Sequence, residues 1–587
     1  MDLLLAHGDD GSPILDRAAD PGTAAVEARP APRREERFLS DITANTNDLV
    51  RQGWAVVAPA GAEGERLEAL VQELVRARAE DQQADVLSIR VPPGMDAAAA
   101  TAWKKDVYPT LYGEDEARRP RYLLILGDLD GVSLDTQQVL AQDGLPGRLA
   151  CASDAGYGAY ADKVLAWQRT PSEHDRARAM FYTVQDGSNA TTAGHTKLMQ
   201  PCHDRCARTA RDKARAFPAS AVEAHGAPTP DPDELLALAA VRHPSVLLSM
   251  SHGLGPPRRR PWSPAEARMH QGAMSFGAEG ALAAQDVASA PFLPGGLWIY
   301  FACFGAGTPR TSAYHHWLDM LAHHGMADLG PVSATLRGLD EGGGFVSGLA
   351  KAALANPKGP LAVLGHIDLV WSYSYEELRV GHDGDAQRIT GSNRSLNFFH
   401  LMTKLVAGER AGAASLALRL PLDAVSAELT AHYNRCKRAG TVEGATPADA
   451  LALGNLWMLH QDLLGYALLG DPAVRLPLAS PGASDARDAR EGNARTTPPD
   501  SSAERARVRL SVGSEDRGVD VDAGALDRLE QAALAIAGGD SPGVHAAKLG
   551  VPRSEVTEAA EVYREAGRAA LSALLDRRRA QEKGRAP

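Results

Sequence analysis

The sequence predicts an α/β fold built on a mostly parallel β-sheet flanked by helices. Between Trp54 and Asp128, apolar segments of strand length alternate with segments of helical periodicity. The strand candidates are continuously apolar, which is typical of a sheet covered on both faces. Further along the chain, four more strand candidates end directly in small or chemically reactive residues. Ligands and catalytic groups gather at such strand ends in α/β proteins.

The first half of the chain supplies three of the predicted strands. WAVVA at 54–58 predicts a buried strand, and a helical pattern follows over 63–78. VLSI at 86–89 predicts the second strand and is followed by a helix over 97–107. YLLILGD at 122–128 predicts a third strand that stops at a Gly-Asp turn. This order predicts parallel strands joined by crossover helices.

The second half repeats the pattern with four strands whose ends carry reactive residues. The strands are MFYTV at 180–184, SVLLSM at 245–250, LWIYF at 297–301 and LAVL at 361–364. The residues that follow them include Asp186, His252 with Gly253, Cys303, and His366. We therefore expect the chemistry of the protein in this half.

The chain is too long for one core, with 587 residues and a mass of 62.1 kDa. Segments rich in Pro, Ser, Asp and Arg without an apolar pattern predict the boundaries. The predicted divisions are a flexible arm over 1–36, an α/β subdomain over 37–175, a larger α/β domain over 176–478, a disordered linker over 479–520 and a helical module over 521–587.

Composition excludes several classes of function. Lys and Arg number 62 against 74 Asp and Glu, and the net charge of −12 argues against a nucleic-acid coat or a chain-wide binder of anionic membranes. The apolar runs fall short of the roughly 18 residues that span a membrane, so no span is predicted. The five cysteines are an odd number in a large chain, which argues against a disulfide scaffold. With no signal-peptide pattern at the start, a cytoplasmic location is expected.

The strongest chemical signal is a histidine and a cysteine at two strand ends. His252 and Gly253 close one strand, and Cys303 closes another. A thiolate is the nucleophile of cysteine chemistry, and an imidazole can take its proton and protonate a leaving amine. The N–H groups of Gly253 and Cys303 would suit an oxyanion hole, and the N-terminus of a helix over 311–323 is expected to lower the thiol pKa. The alternative is that both residues are structural.

The motifs around these residues also resemble a known family. LSMSHG at 248–253, IYFACFG at 299–305 and GPLAVLGHIDLVW at 359–371 resemble successive motifs of gingipain-like cysteine peptidases, which belong to the caspase-fold group. LLILGD at 123–128 resembles that family's non-catalytic N-terminal subdomain, and LGDPAVRL at 469–476 its closing motif. The resemblance covers about residues 37 to 478. It implies a caspase-like sheet preceded by a related α/β subdomain.

The resemblance further implies cysteine endopeptidase activity on a protein or peptide substrate. His252 and Cys303 would form the catalytic dyad, which requires no cofactor. Trp371 matches a family aromatic that packs on the substrate side chain, although a core or edge tryptophan is a nearly equal alternative. Asp186 matches an acidic residue that orients the histidine, and its alternative is a turn residue in the DGSN segment.

Two features depart from the family. The run over 189–194 offers no carboxylate where Arg-specific members place one, so arginine specificity is not expected. The missing secretion signal favours an intracellular bacterial protease that processes one dedicated protein, for which a gasdermin is a candidate partner.

Other signals leave alternatives open. Cys202, His203 and Cys206 are metal-type residues, but no second pair lies at zinc-finger spacing, so no metal is expected. A segment at 546–556 resembles a helix-turn-helix core, although a plain helical hairpin is the preferred interpretation. The alternative functions are a non-catalytic caspase-like scaffold and a DNA-binding regulator acting through residues 525–580. The oligomeric state stays open.

Overall fold

The computed structural model describes the greater part of the chain. The described residues are 45–113, 118–170, 173–226, 230–257, 262–316, 318, 323, 336, 343–371, 374–375, 377–380, 386–389, 394–438, 447–479, 507–512 and 515–520. They belong to two compact units that divide between Ala486 and Arg487. The predicted arm over 1–36 and the predicted helical module over 521–587 lie outside the described residues.

The strands of the described chain are numbered in order of sequence. They are β1 (Trp54–Pro59), β2 (Leu87–Val91), β3 (Tyr122–Leu126), β4 (Leu145–Leu149), β5 (Ala177–Thr183), β6 (Ala219–His225), β7 (Ser245–Met250), β8 (His252–Gly253), β9 (Met274–Ser275), β10 (Ala281–Leu282), β11 (Leu297–Phe301), β12 (Gly307–Thr308), β13 (Phe345–Val346), β14 (Ala362–His366), β15 (Glu377–Val380), β16 (Ala386–Ile389), β17 (Tyr466–Leu469), β18 (Arg507–Val512) and β19 (Glu515–Asp520).

The first unit is organised around one ten-stranded sheet. Its strand order is β2-β1-β3-β4-β17-β14-β11-β7-β5-β6. All neighbouring pairs are parallel except β14 and β17, which are antiparallel. The predicted α/β class with a mostly parallel sheet is therefore confirmed. The antiparallel pair reverses the direction of the strands, so β1 to β4 and β17 run opposite to β5, β6, β7, β11 and β14.

Helices cover both faces of the sheet. They are α1 (Leu49–Gln52), α2 (Ala62–Leu70), α3 (Gln72–Gln82), α4 (Ala97–Asp106), α5 (Tyr108–Leu111), α6 (Leu134–Leu140), α7 (Asp154–Arg169), α8 (Asn189–Gly194), α9 (Gln200–Asp212), α10 (Pro232–Ala239), α11 (Pro264–His270), α12 (Ala284–Ala288), α13 (Gly348–Ala355), α14 (Arg394–Val406), α15 (Ala411–Arg438) and α16 (Pro447–Leu464). In β1, Val56 packs into one apolar cluster and Val57 into another, because successive strand residues point to opposite faces.

The sequence located seven of the ten strands of this sheet and missed β4, β6 and β17. The strands predicted over 245–250 and 297–301 coincide with β7 and β11. The single helix predicted over 63–78 is in fact two helices, α2 and α3, because the backbone at Val71 (φ −115°, ψ 18°) leaves the helical conformation. The side chain of Val71 is completely buried.

The order of β14, β11, β7 and β5 positions the candidate site. These four strands are adjacent and parallel, so their carboxyl ends lie at one edge of the sheet. The segments that follow them carry the four residue groups that the sequence singled out. A small three-stranded sheet of β8, β9 and β10 forms directly after β7.

The second unit contains, in its described part, the antiparallel hairpin of β18 and β19. This hairpin lies within the segment predicted as a linker, and the predicted domain boundaries stay predictions. In the described part of the chain, no helix combines the length and the apolar character needed to cross a bilayer.

Candidate active site

The backbones of Gly253 and Cys303 are in close contact. The strands that carry them end side by side, with Met250 paired to Phe301. The N–H of Ser251 then donates to the Phe301 carbonyl at 3.3 Å. A Cβ atom placed on Gly253 would lie 1.8 Å from the Cys303 carbonyl oxygen and 2.8 Å from its carbon. Only glycine permits this approach, so the two motifs form one site although Gly253 and Cys303 are 50 residues apart in the chain.

The His252 imidazole lies at the surface of this site. Its side chain is 44% exposed. Nε2 lies 2.9 Å from the Ser188 Oγ and 3.7 Å from Oδ2 of Asp186. Nδ1 makes no hydrogen bond with a described residue and is available to a reacting group. One ring nitrogen is therefore held by oxygen atoms while the other is free, as a proton-transfer residue requires.

Asp186 is a largely buried carboxylate that is held by the first turn of α8. Its Oδ1 accepts hydrogen bonds from the Ser188 N–H at 3.1 Å and from the Thr191 hydroxyl at 2.8 Å. Burial disfavours the charged form, but these hydrogen bonds outweigh it, and the pKa of Asp186 is lowered. A charged carboxylate thus faces His252, and the same residue also shapes the turn.

The Cys303 thiol is half-buried and makes its hydrogen bonds with Val370. Its Sγ accepts a hydrogen bond from the Val370 N–H at 3.2 Å, and the thiol donates to the Val370 carbonyl at 3.7 Å. No hydrogen bond joins Cys303 to His252 among the described residues. Burial raises the pKa of the Cys303 thiol to about 11, against a smaller lowering by the Val370 hydrogen bond.

This direction is opposite to the sequence prediction for the thiol. A helix over 311–323 was expected to lower the pKa, and residues 317 and 319–322 of that segment lie outside the described residues. Among the described residues, desolvation of the thiol is the largest effect, and it raises the Cys303 pKa. The Cys303 N–H makes no hydrogen bond to another described backbone group, so this proposed oxyanion donor is available.

The turn after Cys303 has an unusual backbone. Phe304 and Asp368 have positive φ angles of 57° and 107°, which non-glycine residues rarely adopt. The Phe304 N–H donates to the Asp368 carbonyl at 2.9 Å. The Asp368 carboxylate accepts from the Ser312 hydroxyl at 2.7 Å and from the Ala313 N–H at 2.8 Å. Such strain persists where surrounding bonds enforce it, as is common at functional sites.

Trp371 lies in an aromatic cluster beside the thiol. Its ring centroid is 5.8 Å from that of Tyr314, which is 6.1 Å from that of Trp457. Cys303 packs against the same cluster. The structure thus brings together all five sequence-predicted site residues at the edge of the sheet: Asp186, His252, Gly253, Cys303 and Trp371.

A second histidine, His366, ends the strand on the other side of β11. It is completely buried, and its Nε2 lies 2.9 Å from the Asp462 carbonyl oxygen and 3.9 Å from Oδ1 of the same residue. A buried imidazole engaged in this way is a structural residue. Of the histidines at these two strand ends, His252 alone is exposed among the described residues.

Cys202 and Cys206 face the core from α9, and both are fully buried. The Nδ1 of the neighbouring His203 lies 3.0 Å from an oxygen of Asp204. Across the described part of the chain, no three His, Cys, Asp or Glu side chains converge as metal ligands do. We interpret Cys202 and Cys206 as residues that pack α9 against the core.

Sequence reasoning missed Ser188, which contacts the imidazole directly. Ser188 begins α8, where its hydroxyl accepts the Thr191 N–H at 3.4 Å. Serine is a preferred helix N-cap, so the Ser-x-x-Thr pattern after the strand could have located the helix start. Its contact with His252 depends on the order of β5 and β7 in the sheet and has no signal in the sequence.

Comparisons with known proteins give weak likenesses. No family model and no curated protein matches the chain. A solved structure described as a protease is 15% identical, with a TM-score of 0.40 over 74% of this chain and 79% of that one. The Arg-specific cysteine proteinase gingipain R is 11% identical, with a TM-score of 0.39 over 73% and 78%.

A complex of the pro- and mature domains of RgpB from Porphyromonas gingivalis is 10% identical, with a TM-score of 0.37 over 72% of this chain and 80% of that one. Likenesses at this level carry no argument about chemistry. The protein is an α/β protein whose parallel strand ends bring a cysteine and an exposed histidine together.

Proposed function

We propose that the protein is a cysteine endopeptidase with Cys303 as nucleophile and His252 as the proton-transfer residue. The observation that supports this most directly is the contact of Gly253 with the Cys303 backbone. Because of this contact, His252 and Cys303 lie at the ends of adjacent strands. The exposed imidazole, the charged Asp186 and the available Cys303 N–H complete the arrangement.

The proposed reaction begins with a rotation of the Cys303 side chain about χ1, from Val370 towards His252. His252 takes the thiol proton, and Sγ attacks the peptide carbonyl carbon to form a C–S bond. The resulting oxyanion accepts hydrogen bonds from the N–H groups of Cys303 and Gly253. The imidazolium then protonates the amine as the C–N bond breaks.

Hydrolysis of the thioester uses the same imidazole. His252 removes a proton from water, the hydroxide oxygen attacks the acyl carbon, and the Cys303 thiolate leaves and regains its proton. Ser188 and Asp186 act as positioning residues, since they hold Nε2 and stabilise the imidazolium that forms in each half-reaction. No cofactor takes part in these steps.

Trp371 is partly exposed next to the nucleophile and packs on the buried Tyr314, and we assign the Trp371 ring to a substrate side chain. Aromatic faces bind apolar and cationic side chains alike. The substrate is proposed to be a dedicated protein, and a bacterial gasdermin in the cytoplasm is the candidate to test first by coexpression.

One observation favours the second candidate, a non-catalytic scaffold. The resting thiol points to Val370 and its pKa is raised, as expected for a cysteine that only packs. The DNA-binding alternative concerns residues 525–580, which lie outside the described residues.

Cleavage of a proteome-derived peptide library tests the proposal and reports the preferred sequence. Wild-type protein should cut peptides, and His252→Ala and Cys303→Ala should each lose cleavage while keeping the circular dichroism spectrum of the wild type. His243→Ala, which alters a histidine remote from these strand ends, serves as a matched control and should cut at the wild-type rate. Cleavage that survives in both site variants would disprove the dyad, and a wild-type protein that cuts no peptide or protein would favour the scaffold.

A further inference from the structure

A ligand-sized cavity lies at the opposite end of the parallel strands from Cys303. Its volume is about 460 Å³. It is bounded by α3, α7 and the segment over 473–479, and its floor includes Leu361, which precedes β14. Because β14 and β11 are parallel, Leu361 lies at their amino ends while Cys303 lies beyond the carboxyl end of β11. The cavity is therefore separate from the candidate active site.

Positive charge dominates the lining of this cavity. Four arginines line it, namely Arg78, Arg169, Arg410 and Arg475, against one carboxylate, Asp81. This local excess is notable in a chain whose net charge is −12. Cavities lined by one sign of charge concentrate ions of the opposite sign.

The charge of Arg78 is already compensated. Its Nε donates to Asp471 at 2.8 Å, and its Nη1 donates to Asp81 at 2.5 Å. The other three arginines form no ion pair with a described carboxylate. The C-terminus of α7 contributes roughly half a negative charge next to Arg169. The combined positive charge of these three arginines exceeds this contribution.

Arg410 is fixed by backbone carbonyls rather than by an acid. Its Nε donates to the Asn47 carbonyl at 2.9 Å and its Nη1 to the Ala473 carbonyl at 2.6 Å. Burial, followed by repulsion from Arg78 and Arg475, lowers the pKa of Arg410 to about 10. The Arg410 guanidinium thus lies close to other positive charges, and a bound anion would reduce the repulsion between them.

We propose that this cavity binds a small molecule with at least two negative charges, carried by phosphate or carboxylate groups. Guanidinium groups match both acids with paired hydrogen bonds. The volume is that of a site for a metabolite-sized ligand. Val164 and Trp167 provide apolar surface for the remainder of the molecule.

Isothermal titration of the full-length protein with pyrophosphate, and separately with citrate, tests this proposal, with sodium chloride holding the ionic strength constant. Arg475→Glu and Arg169→Glu replace exposed arginines of the cavity, so both variants should fold. Each should weaken binding by at least about tenfold, because a cation that faces the anion becomes a like charge. Arg208→Glu makes the same charge change at an exposed position on α9 and should bind within about twofold of wild type.

The two anions distinguish the kinds of site. Binding of both identifies a site that recognises charge, and binding of one identifies a phosphate or a carboxylate site; each result supports the proposal. If neither anion binds, or if Arg208→Glu weakens binding as much as the cavity variants, the proposal is wrong. Melting temperatures of all variants are measured in the absence of anion. If Arg475→Glu has a lower melting temperature than the wild type, the binding measured for Arg169→Glu tests the proposal.

Discussion

Cys151 and Cys303 follow buried strands in the two halves of the same sheet. Cys151 comes two residues after β4 ends at Leu149, and Cys303 comes two residues after β11 ends at Phe301. Both side chains are half-buried. Burial raises the pKa of both thiols, to about 12 and about 11 respectively. By local sequence and by burial the two cysteines are equivalent.

Their neighbours differ. Beside Cys303, the next strand ends in Gly253 and in an exposed histidine. Beside Cys151 lies Gly156, whose added Cβ would lie 2.9 Å from the cysteine Cβ, and the charged group with the largest effect on the thiol pKa is the ammonium of Lys163. That ammonium donates to helix-end carbonyls, among them that of Leu354 at 2.6 Å. The strand that pairs alongside, rather than the pattern around the cysteine, makes a thiol a candidate nucleophile.

The largest expected effect separates the two cysteines by activity. Cys303→Ala should lower kcat by at least about 10³-fold, since loss of a nucleophile removes the covalent route. Cys151→Ala should leave kcat within about twofold of wild type. Rates on the best peptide of the library provide the measurement, and equal losses in the two variants would end the distinction.

The close approach at Gly253 can be broken by one methyl group. Gly253→Ala should destabilise the protein by about 2–3 kcal/mol and strongly lower activity, because the Cβ would overlap the Cys303 carbonyl oxygen. Gly158→Ala is the matched control, since its Cβ in α7 would meet no atom within 4 Å. That variant should gain about 1 kcal/mol from helix propensity. Urea denaturation measures both, and a fully stable Gly253→Ala variant would contradict the described geometry.

The raised thiol pKa predicts how alkylation depends on pH. A thiol with a pKa of about 11 is protonated at pH 7, so its thiolate fraction rises about tenfold for each pH unit. The rate at which iodoacetamide modifies Cys303 in the resting protein should rise accordingly between pH 7 and 9. Peptide mapping by mass spectrometry follows Cys303 and Cys151 in the same sample. A rate that levels off below pH 8 at Cys303 alone would show a thiolate that has left Val370 for His252.

The smallest expected effect concerns the orientation of the imidazole. Ser188→Ala should lower kcat by about tenfold with little change in KM, because Nε2 loses its 2.9 Å contact. It should also cost about 1 kcal/mol of stability through the lost helix cap. Ser188→Thr keeps a hydroxyl for both roles and should restore most of kcat. Failure of threonine to rescue, or a change in stability alone, would remove Ser188 from the positioning residues.

The sequence predicted the strands well because their signal is local. Continuous apolar runs that stop at small or reactive residues identified β7 and β11 to the residue. The same runs predicted which residues would lie at strand ends, and the parallel order then brought Asp186, His252 and Cys303 to one edge.

What the sequence could not supply depends on distant contacts. The surroundings of the thiol include Val370, Tyr314 and Trp457, and Tyr314 and Trp457 are 143 residues apart in the chain. Burial of the thiol reverses the predicted direction of the shift in the Cys303 pKa. The left-handed backbone at Asp368 is likewise enforced by hydrogen bonds from Ser312 and Ala313 and has no marker in its own sequence.

The antiparallel strand β17 carries a consequence for biosynthesis. It joins the two halves of the sheet through four residue pairs with β14 and a single pair, Leu469 with Arg148, to β4. Residues 466–469 are the last of the sheet to leave the ribosome. The two halves can therefore begin to fold during translation, but they become one continuous sheet only when nearly all of the first unit has been made.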